Sequence, residues 1–387
     1  MDLANAPALF RSSAFVPSTA ESCGNVLMIS AGHAKHPEFV SAWEALAENA
    51  SEPNPFFEPW FVLPSLNAFD PKSGIELFAH FTDGELTGLL PLGRTMDYYG
   101  YPVPHASAWQ HDNSFCGTPL IARGMERSFW RALFRHLDSS TRIDLLFHVP
   151  RLSFDGPVSR ALETVLTEQA RWNYISFEES RAMLSSHLSA EDYYAASMSA
   201  KKRKELRRQH KRLSEEGELE FSRCDDASGI DKWIGDFVAL EAAGWKGEAG
   251  SALGDAADTH IFFVNTLKSA AAAGKLERLT LTLDGWPIAM LANFVSAPGV
   301  YSFKTAFDET YARFSPGMLL QLENLTLLDR DDIDWADSCA AEGHSMIERL
   351  WREKRTLKSH NIAIGGGLRR AAFKKLMAYE TRNRSGS

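Results

Sequence analysis

Hydrophobic and polar positions alternate with two different periods along this chain, and the switches between them mark out elements. Residues 25–30 (NVLMIS) read as a first strand. In 36–49, Phe39, Trp43 and Leu46 recur at helical spacing. Asn54-Pro55-Phe56-Phe57 breaks that helix, and 58–69 resumes one with Trp60, Phe61, Leu63 and Leu66. Two apolar runs, 75–81 and 86–94, flank Asp83-Gly84, a hairpin signal because both turn positions tolerate positive φ. Helices near 125–138 and 157–171 bracket a strand at 143–149.

The same grammar returns from about Asp192. Helices are expected at 199–217, 230–245 and 259–273. Strands follow at 276–283, 287–295 and 300–306, the first two joined by Asp284-Gly285. Further helices are expected at 316–328 and 343–358, then a strand at 360–364. The two Asp-Gly hairpins lie 201 residues apart. An α/β (α+β) fold follows, with two tandem domains, each a mixed, mainly antiparallel sheet flanked by helices. The boundaries expected are a disordered 1–24, domains at 25–190 and 191–367, and a basic tail at 368–387.

Composition alters this picture little. The 387 residues are 44% hydrophobic and 24% charged, ordinary for a globular protein of about two domains. Cys23, Cys116, Cys224 and Cys339 are all more than 90 residues apart, which excludes CxxC chemistry and suits a reducing compartment. With neither a signal-peptide pattern nor an 18-residue apolar run, a cytoplasmic protein is expected. The net charge of −9 conceals two basic segments. Lys201 to Arg212 carries +7 and Arg369 to Arg384 carries +5, so the other residues sum to −21. The first segment suits a nucleic acid, an anionic lipid surface or a polyanionic cofactor, and equally a solvated helix balanced by acidic neighbours.

Three further segments carry candidate chemistry. In YSFKTAFDETYARFSPGMLL (301–320), a strand runs through a loop into a helix opened by Ser315, Pro316 and Gly317. Ser315 suits an N-cap, Pro316 the first helical position, and Gly317 a close backbone approach, so the start is a candidate anion site or simply a helix start. Lys304 and Asp308 share one strand face near it, as cleft residues or as an exposed ion pair. In IDKWIGDFVALEAAGWKG, Glu241 continues an apolar stripe. It is a candidate general base if buried, and an ordinary surface carboxylate if the helix emerges there. Trp245 then forms an aromatic wall. In IDWADSCAAEGHSMIERLW, Asp334 and Asp337 end a strand, and the second glycine of a nucleophile elbow is missing. No P-loop, GxGxxG or HExxH occurs, and no metal is expected.

In order, KKRKELRRQHKRLSEEG, LEAAGWKG, a strand–Asp-Gly–strand hairpin, FKTAFDETYARFSPGMLL and IDWADS resemble the CelD-like acetyltransferase family of the GNAT superfamily, over 199–340. Asn54-Pro55-Phe56-Phe57 and Leu89-Leu90-Pro91-Leu92 suit its N-terminal half. The family is similar in outline to the FemX-type tandem transferases. The resemblance implies acyl transfer from acyl-CoA, acetyl-CoA above all, to an amine or amino-sugar acceptor in polysaccharide biosynthesis. It implies Glu241 and Asp308 as catalytic carboxylates and Ser315, Pro316, Gly317 and Met318 at the cofactor. Trp245, Lys246, Lys304 and Asp337 would face the substrate. Ser-Pro-Gly departs from the Gly-rich loop usual at that helix. Two alternatives stand beside this: an aminoacyl transferase using charged tRNA bound at the basic segments, and a non-catalytic scaffold.

Overall fold

The computed structural model describes residues 25–98, 100–140, 142–244 and 253–384. The expectation of disorder at 1–24 lies outside the described residues. Two compact units result. Unit 1 comprises the residues up to Leu66, Asp70–Glu178 and those from Leu357 on, and unit 2 comprises Asn67–Phe69 and Glu179–Thr356.

Unit 1 opens with β1 (Asn25–Ser30), α1 (Pro37–Glu48) and α2 (Pro59–Phe69, whose last three residues count with unit 2). The strands β2 (Glu76–Thr82), β3 (Glu85–Tyr98), β4 (Tyr101–Ala108) and β5 (Leu120–Ile121) follow. Then come α3 (Glu126–Ser139), β6 (Leu146–Ser153) and α4 (Pro157–Glu168). The chain passes through β7 (Asn173–Leu184) into unit 2. There it forms α5 (Ala190–Ser197), α6 (Ala200–Leu213), β8 (Leu219–Cys224), α7 (Ile230–Ala242) and α8 (Ala257–Ala272). Next are β9 (Leu276–Leu283), β10 (Trp286–Ser296), β11 (Gly299–Phe307), α9 (Pro316–Asn324) and β12 (Trp335–Asp337). β13 (Glu353–Ala363) and α10 (Gly367–Arg384) complete the chain.

Each unit repeats one sheet plan. In unit 1, β1, β2, β3 and β4 form an antiparallel meander, β4 pairs parallel with β6, and β6 pairs antiparallel with β13. In unit 2, β8, β9, β10 and β11 form the meander, β11 pairs parallel with β12, and β12 pairs antiparallel with β7. The expected mixed α/β architecture is what the structure has. The sixth strand of unit 1 comes from 357–363, long after the rest of it, and that of unit 2 comes from 179–184, ahead of the rest of it.

Both Asp-Gly hairpins form as expected. Asp83, Gly84, Asp284 and Gly285 all have positive φ, the turn geometry that matches strand twist. The helix expected at 343–358 is absent. A short 3₁₀ turn, Ile347–Arg349, stands there and β13 begins at Glu353. The reason is that Arg355 and Leu357 point inward with period two, a strand pattern disguised by a charged residue at a buried position. β4, β7, β8 and α5 were not apparent in the apolar pattern. α5 does carry a local start signal, since the Ser189 hydroxyl accepts the Asp192 N–H at 3.1 Å.

In unit 2, α7 and α8 cover one sheet face through a run of rings. Phe237 lies 5.3 Å from Phe263, which lies 6.4 Å from Phe303. On the other face, α9 docks through polar groups: Asn293 donates to Asn324 at 2.8 Å, and Ser302 donates to Asn293 at 3.0 Å. Both asparagines are fully buried, so the bonds fix the seat of α9 instead of leaving it to apolar packing alone.

Candidate functional site

β11 keeps its antiparallel partner β10 as far as Phe307, but it pairs with β12 only from Gly299 to Tyr301. Past Tyr301 the two parallel strands part, because β12 ends at Asp337 while β11 runs on six residues. That edge of β11 presents backbone N–H and C=O groups that strand pairing does not use.

From this opening β11 leads into the helix start. Asp308 caps a 3₁₀ turn, Glu309–Phe314, by accepting the Thr310 N–H at 2.8 Å and its hydroxyl at 2.7 Å. Ser315 then takes a left-handed conformation with φ of 56°. Its hydroxyl makes no capping bond, contrary to the expectation from sequence. Its carbonyl does the work instead, accepting from Met318 N at 2.9 Å and Leu319 N at 3.1 Å. Pro316 takes the first helical position as expected. A Cβ on Gly317 would sit 3.4 Å from the Phe307 ring, ordinary contact, so packing within the protein does not demand glycine there.

Ser315, Pro316, Gly317 and Met318 all line one cleft of about 470 Å³. Met198, Leu206, Phe307 and Met346 supply its apolar walls. Lys202 and Arg349 supply two cations. Lys202 is also paired with Glu205 at 3.2 Å, whereas Arg349 has no acidic partner among the described residues. Apolar walls, two cations and the positive end of a helix suit an amphipathic ligand with a phosphorylated head. Reasoning from sequence offered the Lys201–Arg212 segment for a polyanionic cofactor without singling out Lys202, and it missed Arg349. Lys202 was submerged in the basic run, and Arg349 lay in a segment read as helix.

The candidate acids are distributed around the exit of β11. Glu241 is on the inner side of α7, 5% exposed, and its carboxylate accepts the Leu253 N–H at 2.8 Å. Glu309 reaches the end of α7, where a Cβ on Gly244 would lie 3.1 Å from its Oε1. Lys304 Nζ sits 5.5 Å from the Phe303 ring. Trp245 and Lys246 lie outside the described residues.

Asp337 is fully buried and held by two arginines. Arg181 Nε approaches Oδ1 at 2.7 Å, and Arg355 Nη1 approaches Oδ2 at 3.0 Å. The Cys339 N–H donates to Oδ1 at 2.9 Å. Arg355 also lies 4.6 Å from the Trp335 ring centre and donates to Tyr301 Oη at 3.2 Å. Burial alone would raise the Asp337 pKa, but the Arg181 and Arg355 charges outweigh it and hold the carboxyl below the usual range. The cluster thus ties β7, β12, β11 and the first residues of β13 together where β11 and β12 begin to part.

α6 offers a different surface. Lys201, Lys204, Arg207, Arg208, Lys211 and Arg212 are exposed and have no acidic partner among the described residues. Leu206 and Leu213 are its buried residues, and Gln209 donates to the Arg313 carbonyl at 3.1 Å. Among the described residues no three His, Cys, Asp or Glu side chains converge as metal ligands, and no helix is long and apolar enough to cross a membrane.

Residues 200–348 match the family model of an acetyltransferase (GNAT) domain. No curated protein matches the chain. Among solved structures, FemX is similar at a TM-score of 0.55 and 11% identity, over 88% of this chain and 97% of that one. The C-terminal domain of a putative lysylphosphatidylglycerol synthetase from Agrobacterium fabrum is similar at 0.52 and 10%, over 88% and 96%. L-PGS from Bacillus licheniformis is similar at 0.51 and 12%, over 85% and 92%. At these identities the likeness is one of fold, and the acetyltransferase match falls on the half that contains the parted strands and the α9 cleft.

Proposed function

We propose that unit 2 is an N-acyltransferase that takes an acyl group, acetyl in the simplest case, from acyl-CoA to an amine. The observation that carries this is the parting of β11 from β12 at Tyr301, next to a cleft formed by the start of α9. A bound acyl thioester would supply the electrophilic carbonyl. Lys202, Arg349 and the first turn of α9 would hold its phosphates, with Ser315, Pro316, Gly317 and Met318 forming that turn. The free edge of β11 would hold the extended arm and donate to the carbonyl oxygen as negative charge grows. Glu241 would accept one proton of the acceptor's ammonium, the amine nitrogen would bond to the acyl carbon as the C–S bond breaks, and the second proton shed by that nitrogen would go to the departing thiolate, which leaves as the thiol. Asp308 serves best as the cap that fixes the approach to α9, since its Oδ1 already takes two bonds from Thr310. The CelD-like resemblance makes an amino sugar or polysaccharide precursor the first acceptor to try. Lys304 and the Trp245–Lys246 segment are the residues to probe for it.

The test is a thermal-shift series with acyl-CoAs of rising chain length, followed by free-thiol release with an amine panel. A raised midpoint and amine-dependent thiol release support the reading. If no acyl-CoA does either, it fails. A second donor, aminoacyl-tRNA, is favoured by the unpaired cations of α6. Filter retention of charged tRNA that falls steeply with salt would point to it, and its absence at low salt would remove it.

A further inference from the structure

A separate cavity of about 260 Å³ opens in unit 2 between α6, β8 and α9. Leu206 lines both this cavity and the cleft described above, while the remaining lining differs. Its volume is below the roughly 300–1,000 Å³ of sites for cofactor-sized ligands, so it suits a small metabolite. Leu206, Leu219, Leu281, Leu319 and Leu322 make an apolar floor.

Charges of opposite sign ring its mouth. α6 contributes the Arg207 cation, with the His210 ring beside it, whereas β8 and α9 contribute Glu220 and Glu323. All four are exposed, and none has an ion-pair partner among the described residues. Tyr194 also lines the cavity, and its hydroxyl is shut off from solvent with no hydrogen-bond partner among the described residues.

These groups discriminate between ligand classes. An alkyl carboxylate would satisfy Arg207 but face two glutamates. An alkyl amine would satisfy the glutamates but face Arg207. A zwitterion satisfies both sides at once, and the leucine floor asks for an apolar substituent.

We propose that this cavity binds a free α-amino acid with a large apolar side chain. Its carboxylate would rest on Arg207, its ammonium on Glu220 and Glu323, and its side chain on the leucines. The proposal does not depend on acyl transfer.

Calorimetry on the full chain tests it with four probes: L-leucine, L-phenylalanine, 4-methylpentanoate as the carboxylate half, and 3-methylbutylamine as the amine half. One of the two amino acids should bind at least about tenfold more tightly than either half, the scale of one charge-assisted hydrogen bond. Arg207→Gln and Glu323→Gln should each weaken amino-acid binding several-fold at an unchanged thermal midpoint. Arg207→Gln should leave the amine half no weaker. The proposal is overturned if neither amino acid gives a signal at millimolar concentration. Either half matching the amino acids, or the two variants binding as the parent does, overturns it equally.

Discussion

Replacing Asp337 by Asn removes one negative charge and almost no volume from a fully buried position. Arg355, 9% exposed, would then lose this carboxylate, and Arg181, 2% exposed, would keep Glu179 at the longer distance of 3.6 Å. Two unit charges about 4 Å apart interact by ~4 kcal/mol at an effective dielectric of about 20. Breaking a buried ion pair by removing one partner costs about 3–5 kcal/mol. We therefore expect Asp337→Asn to destabilise unit 2 by about 4 kcal/mol, a large part of the roughly 5–15 kcal/mol that holds a domain together. With a urea slope of about 2 kcal/mol/M, the midpoint falls by about 2 M. Equilibrium unfolding followed by tryptophan fluorescence reads this directly, since Trp335 packs on Arg355. Adding Arg355→Met to Asp337→Asn should recover part of the loss, because one stranded cation is then gone. A loss below about 1 kcal/mol, or a double variant less stable than the single, would refute the reasoning. The substrate-binding role suggested by sequence predicts otherwise: an unchanged midpoint and a raised KM for the acceptor. The pH dependence has a definite sign. The Asp337 pKa is held below its unfolded value, so its contribution is present above the ordinary carboxylate range and is lost as pH falls through the folded pKa.

Glu241→Gln should lower kcat by roughly 10²–10⁴ with donor affinity unchanged if this carboxylate is the base, and a kcat within twofold of the parent would remove it from that role. Arg349→Ala should weaken acyl-CoA binding about tenfold in a titration, the scale of one charge-assisted contact, without moving the thermal midpoint. In unit 1, burial lowers His148 and His360 to about 4 from 6.5. The unfolded chain therefore binds more protons between these values, and stability is full above pH 6.5 and falls towards pH 4, by up to roughly 3 kcal/mol per histidine. His148→Gln should flatten that slope in an acid titration followed by circular dichroism. Gly299→Ala would drive a methyl to 2.4 Å from the Trp335 ring and should cost about 1–3 kcal/mol in a chemical melt.

Much of this fold is legible in the chain because its apolar residues alternate cleanly. Leu279, Leu281 and Leu283 mark β9, and Asp83-Gly84 and Asp284-Gly285 mark the hairpins. The parts that were not legible are those where polar residues point inward. Arg181 hides β7 and Arg355 hides β13, since each is a charge at a buried position that meets Asp337, distant from Arg181 in sequence. The site divides similarly. The helix start at Ser315-Pro316-Gly317 is a local signal, so sequence alone finds it. Lys202 and Arg349 reach the same cleft from segments more than a hundred residues apart, and only the folded chain brings them together. Ser315 shows a finer limit, because its left-handed backbone transfers the capping role from hydroxyl to carbonyl.

The late supply of strand β13 also sets a timetable for synthesis. β6 ends at Ser153, and its partner strand from Leu357 emerges about 200 residues later. At about 5–20 residues per second, unit 1 would wait roughly 10–40 s on the ribosome with the edge of β6 uncovered. Unit 2, complete at Thr356, has all its residues first. The half of the chain made first is therefore finished last, and a transcript or ribosome that stalls near residue 356 would release a finished unit 2 joined to an unfinished unit 1.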